Sequence, residues 1–117
     1  MLGKNGSYNK GHKPVVHDEF VSNENSRKRY WARSILGYKT FGVALPNEAH
    51  RALARLEYDG LIKYLITQNV DRLHQKAGSI HVCDLHGRND QVVCINCGYK
   101  GSRKQIQVFF CCVYFSV

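Results

Sequence analysis

The chain has 117 residues, with 17 Lys and Arg against 9 Asp and Glu, a formal charge of +8 at pH 7. That length suits one modest domain with a single core and is too short for two. A content of 44% hydrophobic and 22% charged residues excludes an intrinsically disordered chain. The charge favours acidic partners such as nucleotides, nucleic acid or anionic membrane, and does not choose among them. No run reaches the about 20 apolar residues that span a bilayer, so no membrane insertion is expected. The apolar stretch from Val108 to Val117 is too short. The N-terminus shows neither a secretory signal nor an Arg-rich transit pattern. Five cysteines, an odd count, fit a reducing compartment better than a closed disulfide framework.

Residues 1–19 hold three glycines and little periodicity, and read as a mobile lead-in. Residues 20–45 contain the basic run Arg27-Lys28-Arg29, then Tyr30-Trp31. The spacing of Tyr30, Ile35 and Leu36 suits a short helix, with Gly37 and Gly42 breaking the stretch. Pro46 and Asn47 are a helix-start signal, Asn47 able to cap the first free amides. Ala49, Ala52, Leu53 and Leu56 recur at i, i+3, i+4 and i+7, one face of a helix, and Gly60 stops it. Leu61 to Thr67 reads as a buried strand, so helix and strand together make half of an α/β unit. Val70 to Ala77 suits one or two helical turns closed by Gly78. Ile80 to Leu85 reads as another strand, and Gln91 to Cys94 as a third extended piece.

Three clusters carry chemistry. Thr67-Gln68-Asn69-Val70-Asp71 follows the first strand, and ligands of open α/β sheets bind beyond the carboxyl ends of strands. Its amides and carboxylate suit a sugar with vicinal hydroxyls or a carboxamide, although the same composition suits an ordinary polar turn. His86-Gly87 ends the second strand. Imidazole can take a proton from a hydroxyl near neutral pH, and Gly87 permits close approach. Most lone histidines are structural; position sets His86 apart from the other five, since it could share a crevice with Gln68 and Asn69. Cys94-x-x-Cys97-Gly98 supplies two corners of a tetrahedral zinc site that needs four. Cys111 and Cys112 are adjacent and cannot repeat the knuckle, whereas Cys83 is a candidate third ligand.

In this order, the clusters resemble the sirtuin pattern. The run from Thr67 to Gly78, Thr-Gln-Asn-Val-Asp-Arg-Leu-His-Gln-Lys-Ala-Gly, is similar to the family's motif. Asp84-Leu85-His86-Gly87 follows where the family usually has Glu-x-His-Gly, and Cys94-x-x-Cys97 falls at the first zinc pair. The helix 47–56 is similar to the family helix before this motif. The resemblance covers about residues 15–100. Arg29-Tyr30-Trp31-Ala32-Arg33 further resembles a mitochondrial, sirtuin 4-like branch.

The resemblance implies an α/β fold: a partial Rossmann-like parallel sheet over residues 20–90, then the first half of a small zinc-binding module over 91–100. It implies an NAD-dependent protein-lysine deacylase, with ADP-ribosyl transfer as a further family activity and acylated-lysine proteins as substrates. His86 is implied as the general base, with Asn69 as the second catalytic residue. Gln68, Asn69, Val70 and Asp71 are implied as NAD-binding, and Cys94 and Cys97 as ligands of a structural zinc. Mitochondrial residence follows from the branch alone, a nuclear or cytoplasmic location being the alternative. Two departures mark a fragment expected to be inactive alone. The family's Gly-Ala-Gly phosphate turn does not occur in residues 1–45, and the second zinc pair is missing. Residues 101–117 read as an apolar, β-prone tail outside the family, an aggregation hazard if exposed. The competing reading is a small basic zinc-knuckle module for nucleic acid, motivated by the charge and by Tyr30-Trp31 beside the basic run.

Overall fold

The computed structural model describes residues 13–115, with side chains described over 13–109. Two compact units, Met1–Ser34 and Ile35–Val117, are taken in turn. No helix of the described residues is long and apolar enough to cross a membrane.

In the first unit, α1 (His17–Ser22) is followed by the start of α2 (Glu24–Phe41). The expected lead-in therefore gives way to helix at His17, and residues 1–12 lie outside the described residues. Asn23 separates the two helices. Its Oδ1 accepts the amides of Asn25 at 2.9 Å and Ser26 at 3.2 Å, which satisfies donors that a helix start leaves free. Ser26 is buried and donates from Oγ to Glu19 Oε1 at 2.5 Å, while Arg29 Nη2 donates to the same oxygen at 2.7 Å. Phe20 and Tyr30 meet edge to face, ring centres 5.0 Å apart.

The second unit begins inside α2, which runs through Gly37 where a break was expected. One interior glycine costs about 1 kcal/mol relative to Ala, too little to end an 18-residue helix. Gly42 does end it: its amide bonds Tyr38 O at 2.8 Å, and a Cβ there would lie 2.8 Å from that oxygen.

Helix α3 (Glu48–Tyr58) is capped as its sequence indicates. Asn47 Oδ1 accepts the His50 amide at 3.1 Å, and His50 Nδ1 accepts the Asn47 amide at 3.3 Å, a reciprocal capping box. At the other end Gly60 has φ +75°, Gly60 N bonds Glu57 O, and Leu61 N bonds Leu56 O, the Schellman arrangement. The inward face differs from expectation. His50, Leu53, Ala54 and Glu57 turn inward, while Ala49, Ala52 and Leu56 are exposed. Polar contacts decide this rotation: His50 meets His74, ring centres 4.6 Å apart, and Glu57 grips the segment before the second strand.

Strands β1 (Leu65–Thr67) and β2 (Val82–Asp84) pair in parallel, with Leu65 opposite Val82 and Thr67 opposite Asp84. Parallel neighbours need a crossover, and α4 (Leu73–Lys76) lies within it, closed by Gly78 at φ +110°. Both strands are shorter than expected. The first is not buried, since Leu61, Tyr64 and Ile66 are exposed; in a two-stranded sheet each strand is paired on one side only. Among the described residues no hydrophobic side chain is fully buried, and the buried groups are Ser26, Ser79 and Arg103.

Strands β3 (Gln91–Val93) and β4 (Lys100–Ser102) form an antiparallel hairpin around the cysteine knuckle. Residues 103–115, expected to be β-prone, are instead helix α5 (Arg103–Phe115). Local bonds favour the helix: Ser102 Oγ accepts the Lys104 amide at 3.2 Å, and Arg103 bonds Gln107 one turn on at 2.7 Å. Arg103 lies over the Tyr38 ring, 4.4 Å from its centre.

Candidate active site

Thr67 and Asp84 are the paired last residues of β1 and β2, so residues 68–71 and His86 leave neighbouring strand ends. That is the edge where parallel sheets bind ligands. The two exits are tied together. Leu85 N bonds Thr67 O at 2.9 Å, and Asn89 N bonds Val70 O at 2.8 Å. Thr67 Oγ1 accepts the Asn69 amide at 3.0 Å, a side-chain turn that bends the chain away from the strand. Gln68, Asn69, Val70 and His86 are exposed. Gly87 takes φ +74°, a conformation that suits glycine.

Asp71 differs from its neighbours. It is half-buried, and its Oδ1 accepts the Leu73 amide, the first of the short helix α4, at 3.0 Å. It also lines a cavity of about 360 Å³ together with Tyr38, Phe41, Arg72, Gln75 and Asp90. Gln68, Asn69 and His86 are not among the residues lining that cavity.

Sequence reasoning did not single out the group beneath these residues. Arg72 has φ +63°, the sole non-glycine positive φ among the described residues. Its Nη1 donates to Asp84 Oδ2, with the two side chains only 23% and 14% exposed. Gln75 Nε2 donates to both Asp84 oxygens, at 3.0 and 3.3 Å. Behind the site, Glu57 accepts the His81 amide at 2.7 Å and the Ile80 amide at 3.1 Å. The His81 amide, with the Ile80 amide behind it, holds the Glu57 carboxyl below the usual range. Burial, and then the neighbouring His50, push the His74 imidazole down. Arg72 and Asp84 are twelve positions apart in the chain, so only the fold reveals that contact.

Cys94 and Cys97 occupy the knuckle between β3 and β4. Gly98 N bonds Cys94 O at 2.9 Å, Cys94 N bonds Tyr99 O at 2.8 Å, and Gly98 takes φ +73°. The amides of Cys97 and Asn96 point at the Cys94 sulfur and lower its pKa, as suits a thiolate ligand. Cys83 does not join them. It lies on β2, in the other sheet, and the described residues contain no group of three His, Cys, Asp or Glu placed to hold a metal. The side chains of Cys111 and Cys112 lie outside the described residues.

The basic run is engaged locally, against the nucleic-acid reading. Arg27 donates to Phe20 O and Val21 O, Lys28 pairs with Glu24 at 2.8 Å, and Arg29 pairs with Glu19 at 2.7 Å.

Residues 2–110 match the model of the Sir2 family, reaching past both ends of the stretch 15–100. The chain is 56% identical over 94 residues to NAD-dependent protein deacetylase 2 of Bradyrhizobium diazoefficiens, covering 80% of this chain and 34% of that protein. It is 48% identical over 103 residues to the NAD-dependent protein deacylase SRT2 of Arabidopsis thaliana, covering 88% and 27%. The chain thus spans about a third of the length of these curated relatives. Among solved structures it is similar to a Sir2 mutant with a p53 peptide and NAD, with TM-score 0.75, 35% identity, and coverage of 86% of this chain and 41% of that one. It is also similar to Sir2 bound to acetylated peptide, with TM-score 0.64, 40% identity, and coverage of 74% and 35%.

Proposed function

The chain belongs to the Sir2 family, and on that premise we propose that it carries part of the active site of an NAD-dependent protein-lysine deacylase. The observation that carries this reading is the parallel register of β1 and β2, from whose adjacent ends residues 68–71 and His86 emerge.

The donor set there fits the nicotinamide-ribose half of NAD. The amides of Gln68 and Asn69 offer both donors and acceptors, and the Asp71 carboxylate accepts. Gln68 holds ribose hydroxyls, while Asn69, Val70 and Asp71 line the nicotinamide end. Bound NAD supplies an electrophilic ribose carbon with nicotinamide as leaving group. His86 Nδ1 or Nε2 takes the proton of a ribose hydroxyl, general-base work that suits an exposed imidazole beside a glycine. Its substrates are acylated lysines of other proteins; ADP-ribosyl transfer would use the same half-site.

Cys94 and Cys97 supply two ligands of a structural zinc that braces the hairpin and takes no part in the reaction. The run 29–33 supports placement in the sirtuin 4-like branch, and with it a mitochondrial location.

Calorimetry with NAD tests the site. Removing one hydrogen-bonding amide removes about 1 kcal/mol, so Asn69→Ala weakens binding about fivefold to tenfold. His86→Ala, which removes a base and no principal binding group, leaves affinity nearly unchanged. A folded chain that binds no NAD, or binds it equally well as Asn69→Ala, refutes the assignment.

A further inference from the structure

We infer that Arg72 and Asp84 form a positioning clamp that sets His86 against residues 68–70. The inference rests on the reading of these residues as the site, and deepens it.

The clamp joins three segments at one carboxylate. Arg72 ends the polar run after β1, Gln75 lies on α4, and Asp84 ends β2. Arg72 and Gln75 both donate to Asp84. From Asp84 the chain has only Leu85 before His86, and from Arg72 it runs back through Asp71 and Val70 to Asn69. Any change in the Arg72–Asp84 contact therefore passes to the imidazole and to the amides within a few bonds.

The backbone indicates that the contact does more than fill space. A non-glycine residue at φ +63° is strained, and persists only where its surroundings determine it. The half-buried guanidinium provides that determination. It exchanges water for a carboxylate that would otherwise lie mostly buried without a counter-charge, and such partners hold their geometry more firmly than exposed pairs. Gln75 Nε2 bonds both Asp84 oxygens, so the carboxylate cannot swing away without losing several bonds at once. Arg72 and Asp84 are positioning residues: neither is placed to touch the reacting atoms.

The test is NMR on the isotopically labelled full chain. Arg72→Gly is the informative variant, because glycine accepts the positive φ and the side chain is lost without backbone strain. The expected result is that the His86 Cε1–H resonance and the amides of Gln68, Asn69 and Leu85 move together beyond their linewidths. The amides of α3 stay in place. Asp84→Asn produces the same pattern, and Arg72→Lys, which keeps the charge, restores at least half of the displacement. Unmoved His86 and residue 68–69 signals in Arg72→Gly overturn the clamp. So do shifts spread evenly over α3 and the hairpin, which mark general loosening. NAD added to each sample separates the two readings. If NAD perturbs none of these signals while His86 still follows Arg72, the clamp stands and the nucleotide site does not.

Discussion

Replacing Asn47 by Ala removes the side-chain half of the capping box of α3 without touching the strands. The Asn47 side chain accepts the His50 amide at 3.1 Å, and the Asn47 amide donates to His50 Nδ1 at 3.3 Å. Loss of such a cap costs about 1 kcal/mol. The second bond has a backbone donor that alanine keeps; it is long and its partners are accessible, so it offsets little. The adjacent Glu48–Arg51 pair, 89% and 54% exposed, cannot compensate, since exposed pairs contribute about 0–1 kcal/mol. The folded-to-unfolded ratio should therefore fall about fivefold, with a midpoint lowered by about 4–6 °C for a domain of this size. Urea unfolding followed by far-ultraviolet circular dichroism reads the first figure, and a thermal scan the second. Asn47→Asp keeps the acceptor and should lie within a few tenths of a kcal/mol of the parent. If Asn47→Ala is equally stable, or Asn47→Asp is as damaged as Asn47→Ala, the cap is not what holds the start of α3.

Two further outcomes follow from shifted groups. Burial and His50 favour neutral His74 in the fold. Its contribution is thus present above the ordinary histidine value of about 6.5 and is lost as pH falls below it. Unfolding midpoints measured from about pH 7 to pH 5 should decline less steeply in His74→Gln, and parallel slopes would contradict this. The amides that lower Cys94 should make it alkylate faster with iodoacetamide at neutral pH than Cys83, as thiolate fraction sets the rate. Peptide mapping that finds equal rates would remove the preformed knuckle.

Where signals were local, the sequence announced the structure. Asn47 and Gly60 bound α3 as read, because a cap and a left-handed stop act within a turn. Residues 68–71 and His86 were legible as strand exits because each follows an apolar run that proved to contain a strand. What escaped was set by partners distant in the chain. The inward face of α3 was read from apolar spacing, yet His50 and Glu57 turn inward because His74 and the amides of Ile80 and His81 meet them there. The apolar tail was read from composition as extended, and its helix rests on contacts at its first turn, including Arg103 N to Asp90 O at 3.0 Å. The Arg72–Asp84 contact has no periodicity to betray it, only a basic and an acidic residue in separate segments.

The double fastening of α3 also constrains how this sequence can change. Asn47 fixes one end and Gly60 the other, so an insertion between them cannot be absorbed at a frayed terminus. Each added residue turns everything after it by about 100°. That rotation would carry Glu57 off the amides of Ile80 and His81 and leave β2, with His86 two residues beyond its end, without its anchor. Length variation among close homologues should therefore be rare between Asn47 and Gly60. Lys63, exposed between the helix and β1, is a more permissive position.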